Sequence, residues 1–248
     1  MENIKGKVIV ITGASRGIGR ANAIYLSNLG AKVVIGDLLG DRLETVKDEI
    51  RSNKNNVIAK TTDVTKRTDI EELVSLAVEH FGRVDVLISC AGVIPQSYLY
   101  KNEYEDWENA IDVNIKGILY GIGAVLPIMH KQETGHIINI SSIGAYNVGP
   151  GGAVYSATKH AVRAITEGLR QEEAEVGKNV RVMSVSPGSI DTEFTHSIKD
   201  KEIRAQFDKL SEDAIEPESV ARIIAFAINE EKDVGLNEVI IRPSNQVL

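Results

Sequence analysis

Tyr155 and Lys159 stand four residues apart in Ala153-Val-Tyr-Ser-Ala-Thr-Lys-His160. Residues at that spacing lie one above the other on a helix face, so the phenol and the ammonium can share one space. A fixed cation favours phenolate, which would make Tyr155 a proton donor and acceptor near neutral pH. Ser142 lies thirteen positions before Tyr155, just after the run His136-Ile-Ile-Asn-Ile140, and the Gly/Pro-rich stretch Gly144 to Gly152 separates them. From a strand end its hydroxyl could face Tyr155 across that loop and hold a carbonyl oxygen. Alone, a Tyr-x-x-x-Lys pair also describes an amphipathic helix with a surface Tyr and Lys. The weight therefore rests on the combination. Tyr146 has Pro150 in the place of such a lysine.

A second cluster opens the chain. Lys7-Val-Ile-Val-Ile-Thr12 is a continuous apolar run of the kind found in buried parallel strands. It leads into Gly13-Ala-Ser15-Arg16-Gly17-Ile18-Gly19, and helical spacing of Ile18, Ala21, Ile24, Tyr25 and Leu29 follows up to Gly30. A glycine turn between strand and helix lets backbone N–H groups approach a pyrophosphate. Its spacing differs from Gly-x-Gly-x-x-Gly, and close strand–helix packing alone would also call for glycine. Asp37 ends the next apolar run, eighteen residues after Gly19, where a carboxylate can accept bonds from ribose hydroxyls or serve as a turn residue.

The elements that must position these groups alternate. Strands are expected at Lys7–Thr12, Lys32–Asp37, Val57–Thr62, Val84–Ser89, Ile137–Ser141, Asn179–Ser186 and Glu238–Arg242. Helical stripes lie between them, including a long one over Glu105–Lys131 that Pro127 should kink or end, and one from Tyr155 to about Val176. The pattern predicts one α/β domain over residues 1–248. It is a doubly wound, Rossmann-type fold whose seven-stranded parallel sheet is flanked by helices. The polar stretch from Asp191 to Asp213 reads as mobile.

Composition narrows the function classes. A net charge of −7 excludes the basic surface that nucleic acid requires. The single cysteine, Cys90, excludes an internal disulfide and fits a reducing compartment. The five histidines show no zinc-type spacing, so no metal is expected. No signal peptide and no apolar run of membrane-spanning length are read, and the expected location is the cytoplasm.

Thr12-Gly-x-x-x-Gly-x-Gly19, Ser142 and Tyr155-x-x-x-Lys159 together resemble the short-chain dehydrogenase/reductase family over essentially the whole chain. That resemblance implies a nicotinamide cofactor, a small alcohol or carbonyl substrate, and hydride transfer between them. It implies catalytic roles for Tyr155 as general acid and base, Lys159 as partner of Tyr155 and of the nicotinamide ribose, Ser142 as holder of the carbonyl oxygen, and Asn114 as anchor of a relay water. Asn114 could equally be a polar core residue bonding a neighbouring carbonyl. For the cofactor the resemblance implies Gly13, Ser15, Arg16, Gly17, Ile18 and Gly19 at the pyrophosphate, Asp37 at the ribose, and Asp63 and Val64 at the adenine. Ala91 and Gly92 would line its path, and Pro187, Gly188, Ile190 and Thr192 would border the nicotinamide. Cys90 departs from the asparagine usual before Ala-Gly, which braces the central strands.

A finer similarity, through Val148–Val162 and Asn237-Glu-Val-Ile-Ile-Arg-Pro243, is to 3-hydroxy acid and serine dehydrogenases. Those mostly use NADP, with arginines just after the second strand. Here that segment is Gly36-Asp37-Leu38-Leu39, which favours NAD. The expectation is an NAD(H)-dependent alcohol dehydrogenase or carbonyl reductase assembled as a homotetramer. The alternatives are an NADP-dependent 3-hydroxy acid dehydrogenase or semialdehyde reductase, and a non-catalytic NAD(H)-binding sensor.

Overall fold

The computed structural model describes residues 1–210 and 212–247. Its frame is one parallel sheet of seven strands: β1 (Val8–Thr12), β2 (Lys32–Asp37), β3 (Val57–Thr61), β4 (Val86–Ser89), β5 (Gly135–Ile140), β6 (Val180–Pro187) and β7 (Glu238–Ile241). Their order is β3-β2-β1-β4-β5-β6-β7, so the chain winds outward from β1 in both directions. The reversal opens a crevice beside β1 and β4 at the carboxyl ends of the strands, where open α/β sheets bind ligands.

The strands read as apolar runs because both faces are covered. Ile9 and Ile11 of β1 enter one core, with Leu26, Val46, Ile50 and Ile224 from α1 (Gly17–Asn28), α2 (Gly40–Ser52) and α8 (Pro217–Asn229). Val8 and Val10 enter the other, with Leu73, Ile122, Met129 and Val162 from α3 (Arg67–Phe81), the long central helix and α6 (Ala153–Val176). Alternation of side chains along the strand sends successive residues of one run to opposite cores.

The long helix departs from expectation in two ways. It runs as α4 (Tyr104–Ile111), a π turn (Asp112–Lys116) and α5 (Gly117–Gln132), and it continues through Pro127 rather than ending there. Its bounds are close to those expected, but by length and composition it is apolar enough to cross a membrane, where no such run was expected. Ile118, Ile122, Val125 and Met129 account for much of that, and they are buried in the second core. The segment read as mobile holds a 3-10 turn (Glu193–Ser197) and α7 (Lys201–Leu210), while Ser211 within it lies outside the described residues. Apolar anchors give it order: Ile198 and Ile203 are 3% and 1% exposed.

Candidate active site

The glycine turn follows β1 directly. Gly13 adopts φ +68°, and a Cβ there would lie 2.6 Å from the Ala91 nitrogen. A Cβ on Gly19 would lie 2.0 Å from the Gly13 carbonyl oxygen. Packing of strand, turn and helix therefore accounts for both glycines. What packing leaves over is the N-terminus of α1, where Arg16 is the N-cap residue and makes no side-chain cap. The first N–H groups of a helix need partners and carry the positive end of its dipole. Gly17, Ile18 and Gly19 line the cavity at that point. Ser15 does not line it, contrary to expectation. Its hydroxyl oxygen is buried beside the turn without a hydrogen-bond partner among the described residues, and its backbone N–H donates to Asp37 Oδ2 at 3.0 Å.

Asp37 ends β2 and faces the same cavity. Its Oδ1 accepts from the Leu39 N–H at 2.9 Å, so backbone bonds at both oxygens fix the carboxylate. Arg16 borders the cavity and pairs across it, its Nη1 3.7 Å from Glu193 Oε2. A second cation that sequence reasoning missed shares that carboxylate: Arg42 Nη1 is 2.6 Å from Glu193 Oε2. The helical turn from Leu38 to Arg42 returns the guanidinium toward the strand end, a placement that inspection of the two residues after Asp37 overlooks. Asp63 lines the cavity and also closes a turn, accepting from the Thr65 N–H and Oγ1 at 3.0 and 2.7 Å. Burial pulls its pKa up, but the Thr65 bonds and Lys66 outweigh this and hold it below the usual carboxylate value. Val64 lines the cavity beside it.

At the end of β4, Cys90, Ala91 and Gly92 all border the cavity. The Thr12 hydroxyl accepts from the Cys90 and Ala91 N–H groups at 3.2 and 3.4 Å, so a residue passed over in the sequence reading ties β1 to β4. Burial pushes the Cys90 thiol up to about 12, which keeps it protonated and unreactive.

Asn114 sits in the middle of the π turn, fully buried, and does not line the cavity. Its Oδ1 accepts from the Val93 N–H at 2.8 Å, and its Nδ2 donates to Val93 O and Thr158 Oγ1 at 2.9 and 3.0 Å. The amide thus clamps the strand that leaves β4 onto α6. π turns occur often at functional sites. Here one sets Asn114 beside Lys159, for a Cβ on Gly92 would be 3.3 Å from Asn114 Oδ1 and 3.8 Å from Lys159 Nζ.

Ser142, Tyr155 and Lys159 share the cavity wall. Ser142 caps a short 3-10 turn, its Oγ accepting from the Gly144 N–H at 3.0 Å. Lys159 is 4% exposed and donates from Nζ to Ile140 O at 2.9 Å. Burial depresses its pKa to about 8. Tyr155 is 7% exposed, and burial pushes its pKa up to about 12, with a hydrogen bond to Ser142 pulling the other way. Lys159 is not among the groups that shift Tyr155 here, and burial sets the net direction. The ammonium lies 5.8 Å from the ring centroid and is engaged by Ile140, so desolvation of the phenolate prevails.

Pro187, Gly188, Ile190 and Thr192 border the far side, after β6. The Thr192 methyl approaches Gly17, where a Cβ would be 3.1 Å from it, so this segment closes over the glycine turn. The whole cavity measures about 660 Å3. Arg163 and Arg170, whose directions the sequence left open, do not line it. Arg163 stacks 4.0 Å from the Tyr146 ring centroid and binds Glu238 at 2.6 Å, and Arg170 binds Glu167 at 2.7 Å. Among the described residues no cluster of His, Cys, Asp and Glu forms that could hold a metal.

Residues 7–203 match the family described as short chain dehydrogenase. An uncharacterized oxidoreductase of Staphylococcus saprophyticus is 53% identical over 248 residues, covering 100% of both chains. One of Listeria monocytogenes is 45% identical over 244 residues, 98% of both. A short-chain dehydrogenase/reductase from Burkholderia phymatum in complex with NAD superposes with a TM-score of 0.89 at 28% identity, covering 97% of this chain and 90% of that one. The closed form of a serine dehydrogenase complexed with NADP+ superposes at 0.86 and 31% identity, covering 94% of both.

Proposed function

The chain belongs to the short-chain dehydrogenase family and is an oxidoreductase of it, and on that premise we propose that it interconverts a carbonyl and an alcohol with NAD(H). The observation that carries this reading is the meeting of Ser142, Tyr155 and Lys159 in one cavity with a glycine turn and Asp37. The residues present fit the dinucleotide. The uncapped start of α1, lined by Gly17, Ile18 and Gly19, suits its pyrophosphate, and the Asp37 carboxylate suits its ribose diol. When bound, NADH supplies the hydride that goes to the carbonyl carbon.

The chain's own groups supply the rest. A phenol held near 12 remains protonated at neutral pH, so Tyr155 stands ready to give its proton to the carbonyl oxygen. The Ser142 hydroxyl orients that oxygen and stabilises the charge that develops on it. Lys159, a cation below about pH 8, holds the ribose side of the site and stabilises the phenolate left after transfer. Asn114 keeps the Val93 backbone and α6 in place around Lys159, and it supports a relay water. Arg16 and Gly17 to Gly19, Asp63 and Val64, Ala91 and Gly92, and Pro187 to Thr192 bind the cofactor along the cavity. The working form is a homotetramer of one-domain cytoplasmic chains. Tyr104, Ile111 and Leu119, 60%, 43% and 45% exposed on the long helix, support self-association.

The test is loss of NADH absorbance with a panel of aldehydes and ketones. Tyr155→Phe should lower turnover by ~10²–10⁴ while NADH binding, read by fluorescence, persists. Near-normal turnover in that variant would remove Tyr155 from the mechanism. NADH binding with no turnover of any carbonyl would favour a sensor.

A further inference from the structure

Beyond the nucleotide half of the cavity lies a compartment whose chemistry is uneven. Ile94, Phe194 and Phe207 line it, and Ile198 and Ile203 pack behind them against Tyr155. Phe194 tilts against Tyr155 with ring centroids 6.3 Å apart. Among the described residues, the charged groups bordering the whole cavity are Arg16, Asp37, Asp63, Lys159 and Glu193. Three of these belong to the glycine turn and the adenosine end. Lys159 is bound to Ile140 O, and Glu193 is paired with Arg42 and Arg16. A substrate carboxylate entering beside Tyr155 would therefore meet Lys159 alone, an ammonium already engaged by Ile140 O, so its desolvation is poorly compensated. Arg163 and Arg170 are committed to Glu238 and Glu167 outside the cavity.

Polar side chains also border the cavity here, among them Asn147, Ser156, Gln206 and Gln96. Gln96 is only 6% exposed, borders the cavity, and makes no side-chain hydrogen bond among the described residues. A Cβ on Gly152 would lie 3.2 Å from Gln96 Oε1, so the amide sits over the loop that leads into α6 and Tyr155. Its amide atoms are not among the fully buried polar atoms left without a partner, so they meet the cavity, where a ligand can bond them. Resting on the dehydrogenase reading above, we infer that the substrate is an uncharged carbonyl compound, or its alcohol, with a second neutral polar group that hydrogen-bonds Gln96. Its remaining body is apolar and packs on Ile94, Phe194 and Phe207. The 3-hydroxy acid chemistry suggested by the finer sequence similarity does not suit this lining.

Two substrate pairs test the inference on the full chain with NADH. The first is methyl 3-oxobutanoate against the 3-oxobutanoate anion; the ester should be reduced with at least ~tenfold higher kcat/KM. Equal or better use of the anion overturns the inference while leaving the dehydrogenase reading intact. The second is pentane-2,3-dione against pentan-2-one, in the parent and in Gln96→Leu. The parent should favour the dione, and Gln96→Leu should cut that preference by ~tenfold through the dione alone, with the NADH dissociation constant unchanged. An equal fall for both ketones, or no fall, removes Gln96 from recognition. The ester comparison needs no variant, so it decides the charge question even if Gln96→Leu fails to fold. Absence of NADH binding by the parent overturns the dehydrogenase reading itself, and this inference with it. NADH binding with no reduction of either pair overturns the substrate class.

Discussion

Replacing Lys159 tests the electrostatics of the site without any substrate. The side chain is 4% exposed, burial depresses its pKa from the usual 10.5 to about 8, and Nζ donates to Ile140 O at 2.9 Å. The folded chain therefore holds this proton less tightly than the unfolded chain does. A lysine whose folded pKa lies below its unfolded one opposes folding while it is charged. The opposition is full below about pH 8 and fades as the pH rises toward 10.5. At pH 7 it amounts to ~3 kcal/mol. Lys159→Met keeps an unbranched stem of similar length and removes the charge. It also leaves Ile140 O without its donor, at a cost of ~1–2 kcal/mol. The variant should be inactive yet more stable at pH 7 by ~1–2 kcal/mol, a rise of ~2–8 °C in Tm. By pH 10 the opposition in the parent has fallen below ~1 kcal/mol, whereas the lost bond to Ile140 persists. The difference should then vanish or reverse. Urea denaturation of both ligand-free proteins between pH 7 and 10 measures this, at one protein concentration because association adds to apparent stability. A variant less stable than the parent at pH 7, or a gap that does not shrink with pH, refutes the reasoning.

Other outcomes follow from the cofactor end and the surface. The parent should prefer NADH to NADPH by at least about tenfold in kcat/KM, or ~1.4 kcal/mol. Asp37→Ala should narrow that gap from both sides, and a parent that prefers NADPH would contradict the role given to Asp37. Glu193→Gln frees Arg16 and Arg42 and should tighten NADPH binding by about threefold, since exposed pairs are weak; titration of NADPH fluorescence reads it, and unchanged affinity would show that neither arginine reaches the 2′-phosphate. Light scattering should give a multiple of the 27.0 kDa chain mass, and the single-chain value at micromolar concentration would rule out the tetramer.

The frame and the polar half of the site were legible because their signals are local. Apolar runs of strand length separated by helical stripes fixed the sheet, and a glycine turn after the first run located the crevice. Tyr155 and Lys159 were readable because a helix converts a spacing of four into proximity. The Lys159–Ile140 bond was not readable, and it decides how far the ammonium is available to Tyr155. Neither was the π turn, since an extra residue per turn leaves no mark on the hydrophobic period around Asn114. Of the two outcomes open at Pro127, a kink or an end, the helix does not end there, because packing can outweigh the missing bond and ring clash where the flanking Val125 and Met129 are both fully buried. Gln96 carried no signal at all. An isolated glutamine in a loop becomes informative only when the fold turns it toward a cavity.

The charges around the adenosine end show how a wrong census can still lead to a usable expectation. Sequence reading placed Arg16 at the pyrophosphate and Asp37 at the ribose, but the structure adds Arg42 and Glu193 and so balances two guanidinium groups against two carboxylates. The arginines now outnumber the one first considered, which by count alone would favour a 2′-phosphate. Position argues the other way. Arg16 and Arg42 are side chains 43% and 52% exposed, and both are drawn to one carboxylate on the segment that closes over the glycine turn. Asp37 is instead held at a strand end by the backbone N–H groups of Ser15 and Leu39. A ligand can pull an exposed arginine from a surface pair at small cost, but it cannot rotate a doubly tethered carboxylate out of its way without leaving two N–H groups unsatisfied. The fixed group is therefore expected to set the preference, and the exposed pair its size.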